Sequence, residues 1–144
     1  MEVDINAPII PYEGLGGIKL YSTLEELKDI LVSECIEYDK KYGSIQCTLK
    51  NNVSLVFNEK NQKLRLISAE VGYKGKLYEK VGLGMLEKEF LKLCPNFVFE
   101  DFEELWIDYQ NCISIVTDAE SSKIIQINLF IPESELESFE EGNW

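Results

Sequence analysis

Apolar and polar positions alternate with period two in two stretches of this chain that lie sixty residues apart. In the first, Ile45, Cys47 and Leu49 precede Val53, Leu55 and Phe57. In the second, Leu105, Ile107 and Tyr109 precede Ile113 and Ile115. Period-two alternation over five or six residues predicts a strand with one buried face. Between the runs stand Asn51-Asn52 and Gln110-Asn111, and asparagine tolerates the positive φ of a tight hairpin. A third run follows the polar loops NEKNQK and DAESSK, both read as hairpin loops. Each stretch therefore predicts a three-stranded antiparallel meander.

The stretches also agree residue by residue. Asn51 and Asn111, Ser54 and Ser114, Val56 and Val116, Lys63 and Lys123, and Ile67 and Ile127 all match at the offset of sixty. Upstream, Ile18, Leu20, Glu26, Leu27 and Ile30 overlie Val81, Leu83, Glu89, Phe90 and Leu93 at an offset of sixty-three. In the first copy Ser22 or Thr23 followed by Glu25 or Glu26 forms a capping box, ahead of a stripe of Leu24, Leu27, Ile30 and Leu31. The second stripe is Leu86, Phe90 and Leu93. That helix has no capping side chain, so packing must hold its start, and it must stop by Pro95.

The predicted fold is α+β: one domain, 1–144, of two tandem helix–three-strand repeats over 14–71 and 77–131, with an acidic tail over 132–144. Gly72 and Gly75 lie in the joint. Neither a lone helix nor a lone meander buries its apolar side. Both helices on one face of a joined sheet of about six strands solve this, and leave the other face bare.

Charge narrows what that face could meet. Twenty-six acids against fourteen bases give −12, and residues 73–144 hold fifteen of the acids. Such a field repels nucleic acid and anionic membranes and favours a basic partner. The chain has no histidine, which removes the usual Ser-His-Asp and Cys-His nucleophiles and most zinc sites. Cys35, Cys47, Cys94 and Cys112 fit no zinc-ribbon or dithiol spacing and read as reduced thiols, the alternative being two disulfides in an exported protein. The N-terminal stretch has no signal-like apolar segment, and no run approaches a membrane span, so the expected location is the cytoplasm. The glycines of EGLGG and VGLG lack nucleotide-loop spacing and read as turn glycines. No cofactor or metal is expected.

Gly17-Ile18-Lys19-Leu20 and Val81-Gly82-Leu83-Gly84, each leading into a helix and a meander, resemble the repeated element of the β-lactamase inhibitor protein fold and its small lipoprotein relatives. The resemblance spans roughly 14–131 and implies a binder that grips its partner with the exposed side of the sheet. The small acidic chain also resembles, in character, cytosolic immunity proteins of bacterial toxin systems, contact-dependent inhibition included.

On that bare face the alternation places Trp106 and Asp108, with Leu105, Ile107 and Tyr109 toward the core. The acids Glu100, Asp101, Glu103 and Glu104 surround them, and Gln126, Asn128 and Phe130 share the face on the last strand. A tryptophan beside acids suits an interface anchor for an Arg- or Lys-rich partner; the competing reading packs Trp106 under the tail or a loop. The first copy offers Gln46, Thr48, Ser54 and Arg65, which are less acidic. The tail acids read as a solvated end, or as a mimic of phosphate backbone for a nuclease. The expectation is a non-enzymatic inhibitor, foremost a cytosolic immunity protein occluding a basic nuclease toxin. The alternative is an envelope or assembly module that binds another protein.

Overall fold

A computed structural model describes residues 2–144. A small hairpin, β1 (Gly14–Leu15) and β2 (Ile18–Lys19), precedes helix α1 (Lys28–Glu34). Four strands follow: β3 (Cys35–Lys41), β4 (Ser44–Leu49), β5 (Val53–Asn58) and β6 (Leu64–Glu70). Helix α2 (Glu87–Leu93) then leads into β7 (Val98–Glu100), β8 (Leu105–Asp108), β9 (Ile113–Thr117) and β10 (Ile124–Phe130). Two 3₁₀ turns, Pro132–Glu135 and Phe139–Glu141, end the chain. The strands after α1 form one antiparallel sheet in the order β3-β4-β5-β6-β10-β9-β8-β7.

The expected helix–three-strand unit is thus corrected. The molecule is mostly sheet, with eight strands rather than six in its main layer and two helices of seven residues each. The strands missed by the pattern are the two edges. β3 is exposed on both sides along most of its length, and β7 has three residues. An edge strand without a buried side has no alternation to read, and the charges of Glu37, Asp39, Lys40 and Lys41 suit an edge that must not pair with another chain.

The duplication survives in the backbone hydrogen bonds. Tyr21 N–H donates to Leu64 O as Gly84 N–H does to Ile124 O, both at 2.8 Å. Leu64 N–H to Ser22 O repeats as Ile124 N–H to Met85 O, again at 2.8 Å. Isolated bridges Thr23↔Lys63 and Leu86↔Lys123 complete the pair. The capping box forms reciprocally: Glu26 N–H donates to Thr23 Oγ1 and Thr23 N–H to Glu26 Oε1, each at 3.1 Å. It holds a turn that precedes α1. The N-cap of α2, Leu86, offers no side-chain hydrogen bond, and the Glu87 N–H is taken instead by Ser122 O at 2.8 Å.

One face of the sheet is the core. Leu55, Phe57, Ile67, Ala69, Ile113, Ile115, Ile127 and Leu129 are fully buried there and join Leu27, Ile30 and Phe90 of the helical segments in one cluster. The N-terminal strap adds Val3, Ile9 and Leu15. It is pinned at the joint between the halves, where Lys74 and Gly75 N–H donate to Ile5 O at 2.8 and 2.9 Å. A Cβ on Gly75 would stand 1.8 Å from Ala7 O, so this position admits only glycine.

The seam between halves is the antiparallel pairing of β6 with β10, from Glu70↔Gln126 to Leu66↔Phe130. At its middle, on the face away from the core, Ser68 donates to Asn128 Oδ1, and Asn128 Nδ2 donates to Ser114 Oγ at 3.0 Å. All three are buried. Removing one member strands the others. Asn128→Ala is expected to destabilise the fold by about 1–3 kcal/mol, read as a lower urea midpoint with an unchanged slope.

All four thiols are free. Burial, with Cys35 nearby, pushes the Cys47 thiol up to about 12, so at pH 8 almost none of it is thiolate. Cys35 is the one half-exposed thiol, the other three being buried. Timed alkylation at pH 8 is expected to label Cys35 first and the remaining three only on unfolding.

Candidate functional site

A single row of residues crosses the face away from the core: Glu37, Thr48, Ser54, Ser68, Asn128, Ser114, Ile107 and Val98, each opposite the next. Its centre is small and polar. Its second-half end is apolar, and this overturns the expected orientation of β8. Trp106 pairs with Ile115 and Asp108 with Ile113, both core residues, so Trp106 and Asp108 lie on the core side and Leu105 and Ile107 on the open face. The cause is one residue in a turn. In the first copy Thr48 pairs with Ser54, but the corresponding Ser114 pairs with Ile107, fifty-nine residues on from Thr48 rather than sixty. The second hairpin is one residue longer, and a slip of one residue sends every side chain of a strand to the other side.

Trp106 is therefore a packing residue. Its ring meets Phe99 and Phe90 edge-on at 5.2 and 6.5 Å, and its Nε1–H donates to Glu87 Oε1 at 2.9 Å. Asp108 is buried and closes the longer hairpin. Its Oδ2 accepts from Asn96 and Asn111 side-chain amides, both at 2.7 Å. Gln126, Asn128 and Phe130 do stand on the open face, but Asn128 and Gln126 are bonded to each other, Nδ2 to Oε1 at 3.3 Å.

With β8 turned over, the open face of the second half becomes greasy. Leu105, Ile107, Phe130 and Leu66 floor a trough of about 510 Å³, walled by Tyr109, Phe102 and the tail. Phe102 is 89% exposed and Tyr109 52%. Glu100, Glu103 and Glu135 stand around it, and Arg65 is the one cation on its lining. Glu100 also shapes the wall, accepting Glu103 N–H at 2.6 Å. Of the expected site acids, Asp101, Glu103 and Glu104 open onto a neighbouring groove beside Ile125. Among the described residues the ion pairs are Lys28–Glu25 and Lys41–Asp39, and neither touches these acids. Phe102, Tyr109, Leu105 and Ile107 were missed as contacts. The signal for them was the apolar alternation itself, assigned to the wrong side.

The tail is not a frayed end. Phe139 is buried, stacks on Trp144 at 5.2 Å and lies beneath the Arg65 guanidinium at 5.3 Å. Asn58, Asn61 and Lys63 donate to its main-chain oxygens, and Tyr21 donates to Glu133. Glu137, Glu140 and Glu141 remain exposed. Burial lowers the Arg65 pKa while Glu140 opposes the shift. No described group of three or more Cys, Asp or Glu side chains is arranged to hold a metal ion, and no described helix is long and apolar enough to cross a membrane.

No protein-family model and no curated protein matches the chain. Among solved structures it is similar in fold to a cysteine-rich secretory protein from Staphylococcus aureus, with a TM-score of 0.51 at 16% identity. The match covers 93% of this chain and 51% of that one. The chain thus spans about half the length of that protein, and the likeness is one of fold alone.

The geometry separates packing from contact. Trp106→Ala is expected to cost about 2–4 kcal/mol of stability, somewhat under the range for a fully buried aromatic. Phe102→Ala is expected to stay within about 0.5 kcal/mol, as for surface positions. Thermal unfolding of the two variants checks both.

Proposed function

We propose that the chain is a non-enzymatic binding protein whose open sheet face takes a basic protein partner. The observation that carries this reading is the trough around Phe102, Tyr109, Ile107 and Phe130. There, exposed aromatic and aliphatic surface is flanked by Glu100, Glu103 and Glu135, with Arg65 also on the lining, and among the described residues no ion pair engages those carboxylates. Exposed apolar area with a charged rim is the composition of an interface: the centre supplies desolvation and the rim supplies encounter rate and orientation. A net charge of −12 extends the attraction beyond the trough.

The specific form of the proposal is a cytoplasmic immunity protein that neutralises a cognate basic toxin domain, a nuclease foremost, by covering its active surface. The resemblance to inhibitors that bind through an exposed sheet supports this form. The second reading, an assembly module, draws on the fold likeness to about half of a longer secretory protein.

Calorimetric titration of the chain with the protein encoded beside it tests the reading, since an immunity protein and its toxin are neighbours in the genome. A 1:1 complex that weakens steeply with salt is expected, with loss of toxicity on co-expression. The double variant Phe102→Ala/Tyr109→Ala is expected to weaken binding at least 30-fold, the equivalent of about 2 kcal/mol. Binding indifferent to both substitutions and to salt would remove the trough from the interface.

A further inference from the structure

The surface that docks the tail in the first half exists a second time, and no described segment of this chain covers the second one as the tail covers the first. The loop after β5 is closed by Asn58 N–H to Lys63 O at 3.0 Å and Gln62 N–H to Asn58 O at 2.8 Å. The loop after β9 repeats both bonds, from Asp118 to Lys123 O and from Ser122 to Asp118 O, each at 2.8 Å. Even the irregularity recurs. A shift of register sets Arg65 out of pairing on β6, and another sets Ile125 out of pairing on β10, sixty residues later.

The two surfaces share these backbone features and differ in chemistry. On the first, Asn58 and Asn61 offer amide donors, and Arg65 lies over Phe139. They receive a segment that carries Glu140 and Glu141 between two aromatic rings. On the second, Asp118 and Ser121 replace the asparagines, and Ile125, 37% exposed, replaces the arginine. The groove there, about 640 Å³, has Val116, Ile125 and Phe99 as its apolar wall and Asp101, Glu103 and Glu104 facing them. The backbone and the hydroxyl of Ser121 hold the Asp118 carboxyl below its usual range, so it too is an anion at neutral pH.

We infer that the groove beside Ile125 docks a short segment of the partner protein bearing an aromatic side chain flanked by lysine or arginine, seated as the tail is seated on the first half. The inference rests on the partner being a basic protein. The tail supplies the argument for the occupant, because it shows what such a surface holds, and the reversal of charge selects the sign. A second copy of this chain is disfavoured as the occupant, since its tail would bring glutamates against Asp101, Glu103 and Glu104. An aromatic ring on Ile125 and Val116 would gain burial, and its flanking cations would meet three or four carboxylates across the groove.

The probe is a peptide of the tail's own spacing with the charge inverted. Residues 136–144 are synthesised with Glu137, Glu140 and Glu141 replaced by lysine (LKSFKKGNW), beside the native LESFEEGNW, and each is titrated into the full chain by NMR. The inverted peptide is expected to bind at least tenfold tighter than the native one, to shift the Ile125 and Val116 signals, and to weaken as salt rises. Ile125→Arg and, separately, Glu104→Lys are each expected to reduce its affinity tenfold or more, while Phe102→Ala/Tyr109→Ala leaves it unchanged. Equal affinity for the two peptides overturns the inference. So does binding that persists in both groove variants, or binding lost with Arg65→Ala, which would mean displacement of the tail. A basic partner whose affinity depends on Phe102 and Tyr109 but not on Ile125 would retire this groove and leave the proposed function standing.

Discussion

The pairing of β6 with β10 is the constraint on which the rest depends. Each half ends in its longest core-facing strand, and the two final strands meet antiparallel along five residues. Without that seam each half would be a four-stranded meander with an open central edge and too little area to bury its apolar side. With it, one eight-stranded layer has a single core beneath it and one long face above. The polar link from Ser68 through Asn128 to Ser114 sits on that face at the seam. A slide of β10 by one residue would unmake this link and turn Ile127 and Leu129 outward together, so the same contacts that hold the seam also specify its register.

Much of this was legible. Matches at offsets of sixty and sixty-three mark the duplicated loops and helix entries, and the hydrogen bonds repeat at those offsets. The capping box at Thr23 and Glu26 was visible because its chemistry is local. The edge strands were not, since Ile36, Tyr38 and Lys40 alternate against nothing. The orientation of β8 was lost for a different reason. An ungapped comparison carries the parity of Cys47 onto Ile107, whereas the longer turn capped by Asp108 gives it to Trp106. Asp108 was itself the clue, for it stands where the first copy has the core residue Leu49, and a buried carboxylate there needs the amides of Asn96 and Asn111.

The consequence for the site is larger than one strand. Placing Trp106 against Phe90 and Phe99 converts the expected anchor into a half-buried residue packed on the core. The same rotation brings Leu105 and Ile107 out onto the face beside Phe130. Of the acids around them, Glu100 and Glu103 flank this face, whereas Asp101 and Glu104 open onto the neighbouring groove and Asp108 is buried on the core side. The face thus carries fewer of the expected acids than the alternation placed there, and its apolar centre is a different set of side chains.

Two copies of one surface in one chain invite a comparison of what each has become. In the first, amides and Arg65 face an acidic aromatic tail, and Phe139 is buried beneath the Arg65 guanidinium. In the second, Lys63 is kept as Lys123, but the groups around the buried ring have changed in the sense that would release such a tail: a donor amide to a carboxylate at Asp118, a cation to an aliphatic at Ile125. Folding stability does not require the change, because the backbone bonds of the two loops are the same. What differs is the kind of segment each can hold. Under the proposed reading, a duplicated fold with a filled first surface and a more acidic second one keeps its own tail and meets a cationic partner at separate places.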